Sequence, residues 1–197
     1  MLFVSNREGG CGGNDMYITK NNLAKGWSEP INLGCAPDCP NTVGSELSPS
    51  PVTTSEGTYL YFSSNCTPGA GTIGECTDKD IYKSLVSRDG SFGPGDAVDE
   101  LNTESSDRQP NVRRDGLEIV FASDRNGGIT SEDIWSASRE CVEEPWSGLR
   151  NLSVELPTPS RDASESRPSL SWDRKRLYYG SSGTIYRSER KPGRGPQ

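Results

Sequence analysis

Histidine is absent from the 197 residues. That excludes the Ser-His-Asp hydrolases, the commonest zinc sites and any imidazole general base. Apolar residues are scarce as well, 30% of the chain against roughly 45–50% in an ordinary soluble domain, and the mean hydropathy is −0.72. No run approaches the roughly 20 apolar residues of a membrane-spanning helix, so membrane insertion is not expected. The opening stretch from Met1 to Gly10 has neither a basic lead nor an apolar segment long enough for a signal peptide. An exported parent would therefore have been trimmed before this numbering starts. Basic side chains are outnumbered: 21 Lys and Arg face 28 Asp and Glu, a net charge of −7. Long-range repulsion then disfavours nucleic acid and anionic membrane as partners. What the chain has in quantity is turn chemistry, 22 glycines and 14 prolines, and its length suits one large all-β domain.

One aromatic strand pattern returns four times, as Leu2-Phe3-Val4-Ser5-Asn6, Tyr61-Phe62-Ser63-Ser64-Asn65, Val120-Phe121-Ala122-Ser123-Asp124 and Tyr178-Tyr179-Gly180-Ser181-Ser182. Its serines Ser5, Ser64, Ser123 and Ser181 are spaced by 59, 59 and 58 residues, the mark of a repeat architecture. A second element follows each copy: Asp15-Met16-Tyr17, Asp80-Ile81-Tyr82, Asp133-Ile134-Trp135 and Thr184-Ile185-Tyr186. A proline element precedes each copy but the first, with Pro49, Pro110 and Pro168 three residues after Glu46, Asp107 and Glu165. A fourth trails as Trp27 to Leu33, Phe92 to Val98 and Trp146 to Leu152. Each unit reads as four short strands with aromatic and β-branched residues in the strands. Glu56-Gly57 and Asp115-Gly116 supply tight turns between proline and aromatic strands, and Asp173-Arg174 takes that place in the last unit. Leu117 to Phe121 is apolar on both faces, as for a strand covered on both sides. No amphipathic helix is evident.

Repeated four-stranded antiparallel units suggest radial packing into a β-propeller. The run of proline strand, acid-Gly turn, aromatic strand ending in Ser-Ser-Asn or Ser-Asp-Arg, glycine-rich loop and Asp-Ile-Tyr resembles the WD40-like propeller repeat of TolB-type proteins, from Leu2 to about Ser188. The resemblance implies an all-β propeller domain over residues 1–189, with units of about 1–40, 41–101, 102–159 and 160–189, each ~59 residues long, and a flexible tail at 190–197. The first unit lacks its inner strand and the last its outer one. Three arrangements fit: an incomplete piece of a longer propeller, a compact four-bladed form, and oligomeric closure by association.

Six cysteines in an acidic, turn-rich chain suggest an oxidising compartment. In an up-and-down blade Cys11, Cys66 and Cys76 fall in loops on the same side as Cys35 and Cys39, whereas Cys141 falls on the opposite side. Parity then leaves Cys141 and one of Cys11, Cys35 and Cys39 unpaired. Cys66 and Cys76 bracket a long loop, since 16 residues separate Ser64 from Asp80 where 10 separate Ser5 from Asp15 and Ser123 from Asp133. A bond there would stabilise by roughly 3 kcal/mol. A thiolate metal site using Cys35-Ala36-Pro37-Asp38-Cys39, and free buried thiols, remain open.

The repeated acids Glu46, Asp107 and Glu165 lie near the expected channel mouth, as ligand-binding or catalytic candidates or as acids capping their own turns. Asp15, Asp80 and Asp133 read as structural latches for the preceding glycine-rich loops. Asp124, Asn126 and Asp133 are calcium candidates without EF-hand spacing, and no other cofactor is indicated. Trp27, Phe92 and Trp146 read as packing residues. Asn65-Cys66-Thr67 and Asn151-Leu152-Ser153 match the glycosylation sequon. Two functions stand. One is a non-catalytic binding module presenting a loop-rich face to a protein, peptide or glycan, in an exported, periplasmic or secreted bacterial protein as the resemblance implies. The alternative is a glycoside hydrolase-like enzyme using carboxylates at the channel mouth, a reaction that needs no histidine. The acids repeat, whereas a catalytic centre breaks a repeat, which favours binding. The unmatched feature is the loop holding Gly69, Gly71, Gly74 and Glu75, which reads as a recognition or stabilising insertion.

Overall fold

The computed structural model describes residues 1–67, 76, 78–156, 163–173 and 175–189. The glycine-rich insertion from Gly69 to Glu75, Arg174 of the last turn and the tail at 190–197 lie outside them. The described chain is all-β, with one turn of 3-10 helix at Ser153–Glu155.

The first sheet joins β1 (Leu2–Ser5), β2 (Asp15–Ile18) and, after a small hairpin of β3 (Asn21–Asn22) and β4 (Gly26–Trp27), β5 (Ile31–Asn32). The second runs β6 (Glu46–Thr54), β7 (Gly57–Ser64), β8 (Asp80–Val86) and β9 (Asp96–Ala97). The third repeats it with β10 (Asp107–Val112), β11 (Glu118–Ser123), β12 (Asp133–Ser138) and β13 (Ser147–Asn151). The fourth holds β14 (Glu165–Leu170), β15 (Arg176–Ser181) and β16 (Thr184–Glu189). All pairings within these sheets are antiparallel, and the register recurs: Ser5 faces Asp15, Ser64 faces Asp80, and Ser123 faces Asp133.

Alternation along the aromatic strands feeds two layers at once. Leu60 and Phe62 point to a cluster with Met16, Leu33 and Tyr82 between the first and second sheets. Tyr61, between them in sequence, joins Ile119, Phe121, Trp135 and Trp146 in the cluster between the second and third. Val120 points the other way, to Ile134, Leu177 and Tyr179 between the third and fourth. Apolar residues on both faces of β7 and β11 thus belong to sheets packed on both sides.

Contacts between sheets follow chain order: β1 and β2 touch β6, β6 to β8 touch β10, and β10 to β12 touch β14. A backbone bond marks each joint. The N–H of Glu46 donates to the Asn14 carbonyl (2.7 Å), that of Asp107 to Lys79 (2.5 Å) and that of Glu165 to Glu132 (2.9 Å).

Of the three trailing aromatic positions, Trp146 is buried and Phe92 packs on the first cluster, but Trp27 belongs to the β3–β4 hairpin and is 56% exposed. Its expected packing role does not hold, because β5 pairs with β2 through Asn32 and Ile31 and leaves the tryptophan outside the sheet.

Disulfides join Cys11 to Cys35 and Cys66 to Cys76, and Cys39 and Cys141 are free. The thiolate metal alternative loses Cys35 to a bond, and no cluster of metal-ligating side chains occurs among the described residues. The bonds fit an oxidising environment. Among the described residues no helix is long and apolar enough to cross a membrane. Thiol labelling of the unreduced, denatured chain should modify two cysteines, mapped by peptide mass to Cys39 and Cys141; label on Cys11, Cys35, Cys66 or Cys76 would contradict this pairing.

Candidate functional site: the groove of the proline strands

The strands β6, β10 and β14 enter their sheets on a buried acid and then bulge. Glu46 is fully buried and accepts from the Thr42 N–H (3.0 Å), the Thr42 hydroxyl (2.6 Å) and the Ser64 hydroxyl (2.8 Å). Burial raises its pKa above the usual carboxyl range in spite of these donors. Asp107, equally buried, accepts from the Thr103 N–H (2.7 Å) and hydroxyl (2.8 Å), the Ser123 hydroxyl (2.5 Å) and the Arg125 guanidinium. Arg125 is sandwiched between the rings of Phe121 (4.9 Å) and Trp135 (5.3 Å). Glu165 is also fully buried, opposite Ser181, but neither of its oxygens has a hydrogen-bond partner among the described residues. Residue 161, at the place of Thr42 and Thr103, lies outside the described residues. Burial raises the pKa of Glu165 too.

These three acids are therefore turned into their own sheets rather than toward a channel. Glu46, Asp107 and Glu165, the ligand-binding or catalytic candidates of the sequence, are thus all fully buried, and Glu46 and Asp107 satisfy orphan amides at the entry of their strands.

The latch reading of the second set is visible at two of its three positions. Asp15 accepts from the Cys11 N–H at 2.8 Å. Asp133 accepts from the Ile129 N–H (2.5 Å), the Thr130 N–H (3.2 Å) and hydroxyl (2.7 Å), and the Asn151 side chain (2.9 Å). The loop wraps so closely that a Cβ on Gly10 would stand 1.9 Å from Asp15 Oδ2, and one on Gly128 2.5 Å from Asp133 Oδ2. Glycine is the only residue that fits there. Most residues between Thr67 and Asp80 lie outside the described residues, so the third position is not tested. Burial and then the charges of Asp107, Asp78 and Asp99 push the pKa of Asp80 up to about 6.

Of the calcium candidates Asp124, Asn126 and Asp133, Asp133 is fully buried and occupied by protein donors, and Asp124 accepts from the Ser106 N–H at 2.8 Å. Both sequon asparagines are engaged: Asn65 accepts from the Ser45 N–H (2.7 Å), and Asn151 binds Asp133 and the Ser153 N–H (2.9 Å).

What the three strands bring together is the residue just before each proline. Register shifts between Leu47 and Ser50, Arg108 and Asn111, and Ser166 and Ser169 place a bulge at the same point of each strand. At its apex Ser48, Gln109 and Arg167 take left-handed backbone angles, φ 56°, 58° and 51°. For non-glycine residues this costs on the order of 1 kcal/mol each, and such strain gathers at functional places. The bulges line a shallow groove of about 250 Å³ formed by Ser48, Pro49, Gln109, Pro110, Arg167 and Pro168, with Ser50 and Asn111 beside them.

Side-chain acceptors stitch the strands across the groove floor. Ser50 Oγ accepts from the Val112 N–H (3.1 Å), and Asn111 Oδ1 from the Leu170 N–H (2.8 Å), one unit further on at the same place. Gln109 Oε1 accepts from the Arg167 N–H (2.6 Å), and its amide hydrogens have no partner among the described residues. Arg167 is exposed and makes no ion pair among the described residues. Sequence reasoning chose the repeated acids and passed over these positions. The available signal was variation inside a constant frame: Ser, Gln and Arg occupy one place while the acid and proline around them recur.

No protein-family model matches the chain, and no curated protein matches it.

Two outcomes test the site's internal chemistry. Asp107→Asn leaves Arg125 buried without its counter-charge and should cost about 3–5 kcal/mol of unfolding free energy by denaturant titration; a loss below 1 kcal/mol would refute the latch. For Asp80 the folded state favours the protonated acid, so its contribution is full below the unfolded pKa of about 4 and is lost as pH rises through about 6. Between pH 4 and 6 the melting temperature of Asp80→Asn should therefore gain on that of the parent. Parallel curves would contradict this.

Proposed function

We propose that the chain is a non-catalytic binding module whose sheets are arranged as spokes of an incomplete β-propeller, and that it takes a protein, peptide or glycan ligand at the groove of the proline strands. The single observation that carries the binding site is the threefold bulge, which holds Ser48, Gln109 and Arg167 on a proline floor in equivalent strained conformations. The radial arrangement is supported by inner strands that touch in chain order and by the three backbone bonds at the joints. The resemblance of the sequence motif to a TolB-type repeat accords with this reading.

The groove's chemistry narrows the ligand. One unpaired guanidinium, one hydroxyl and one amide suit a carboxylate or another acceptor-rich group. The prolines favour an apolar or ring surface beside it. The glycosidase alternative has no observation in its favour, because it needs two accessible carboxyls flanking a pocket, and Glu46, Asp107 and Glu165 are fully buried. The disulfides fit a periplasmic or secreted setting. Tyr178 and Ile185 stay exposed on the last sheet, 38% and 80%, as they would where a further sheet or another copy covers that face.

Arrays of peptides and glycans probed with the intact chain, followed by titration calorimetry on the strongest hits, test this reading. Arg167→Ala and Gln109→Ala should each weaken a true ligand about tenfold while leaving the melting temperature within about 3 °C. Ligands that bind both variants as tightly as the parent would overturn the assignment.

A further inference from the structure

The first and third units carry the same arginine device, and only one of them has its counter-charge. Arg7 follows Ser5 as Arg125 follows Ser123. Arg7 Nε donates to Ser5 Oγ at 3.1 Å, and Arg125 Nε to Ser123 Oγ at 2.9 Å. The guanidinium of Arg7 stands 5.2 Å from the Phe3 ring and 4.7 Å from Tyr17, the places of Phe121 and Trp135 around Arg125.

In the third sheet the inner strand β10 completes the device by bringing Asp107 onto Arg125 and Ser123, and Arg125 is 7% exposed. In the first sheet β1 is the edge, with no strand beside it among the described residues. Arg7 is exposed and has no carboxylate partner among the described residues. The second unit provides a contrast: Cys66 replaces the arginine, and the acid is the longer Glu46 rather than aspartate.

The geometry points to the free edge of β1 as a docking site for an extended peptide segment that adds as a strand and reads Thr-x-x-x-Asp-x-x-Pro, its aspartate seated on Ser5 and Arg7. Main-chain bonds to the open edge give such a segment affinity, and the charge pair fixes its register. Threonine four residues before the acid caps it, as Thr103 does for Asp107 and Thr42 for Glu46. Aspartate is specified over glutamate because the guanidinium fills the room that Glu46 reaches across in the second unit. The residue after the proline carries less demand here. In the later joints Ser50 and Asn111 accept from the N–H of Val112 and Leu170, but the matching place in β6 is Pro51, which has no N–H to give.

The probe is the decapeptide Thr-Glu-Ser-Ser-Asp-Arg-Gln-Pro-Asn-Val, which copies residues 103–112, labelled with a fluorophore and titrated with the intact chain by anisotropy. Saturable binding is expected, weakened at least about tenfold by Arg7→Gln and equally by asparagine in place of the peptide's aspartate. Glutamate at that place should bind more weakly than aspartate. Arg167→Gln should leave the titration unchanged, which separates this edge from the proline groove. The peptide substitutions need no change in the protein, so they decide the matter even if Arg7→Gln unfolds. The proposal is overturned by no saturable binding up to about millimolar protein, by binding indifferent to the aspartate, by binding lost only with Arg167→Gln, or by sedimentation showing a dimer that the peptide does not displace.

Discussion

Everything in this structure hangs on the buried acid at the head of each proline strand. Its N–H reaches back to the carbonyl that precedes the latch aspartate of the previous unit, so the same residue joins two sheets. In the second and third units its carboxylate also closes the loop that leads into its own strand. Such a group is costly to bury, and the cost falls when its lone pairs are filled. Glu46 and Asp107 meet that condition with threonine and serine donors, and Asp107 adds an arginine held between aromatic rings. Where the third unit places the Arg125 guanidinium, the second places Cys66, joined by a disulfide to Cys76.

The strands of the four main sheets and their order were legible from the residues, whereas the β3–β4 hairpin was not. The aromatic, latch, proline and trailing elements fall in successive sheets of three, four, four and three strands because each pattern matches the period and turn chemistry of a strand. The cysteine parity was legible too, since it needs only the side on which each loop opens. The site was not. A repeated acid looks the same in sequence whether it faces a channel or its own backbone, and the bulge that turns the acid inward depends on register shifts that no local pattern encodes. Trp27 was misplaced for a related reason: a two-residue strand such as β5 carries too little pattern to say which neighbouring residues pair.

The proposed function rests on where the repeat is kept and where it is relaxed. Latches, glycines and prolines recur, which fixes the backbone of the groove; Ser48, Gln109 and Arg167 differ, which gives the groove its chemistry. The same logic sets apart the first sheet, where an arginine is positioned as its counterpart in the third sheet but has no acid beside it among the described residues. Both features are consequences of one unit plan applied in unequal surroundings.

The most direct test of that plan is native-state hydrogen exchange of the amides of Glu46, Asp107 and Glu165. If the joints hold the sheets as one cooperative body, these three N–H groups should exchange as slowly as the central amides of β7 and β11, all through global unfolding. Exchange at the rate of exposed loops, while β7 and β11 stay protected, would show that the sheets are held by their apolar layers alone and would contradict the account.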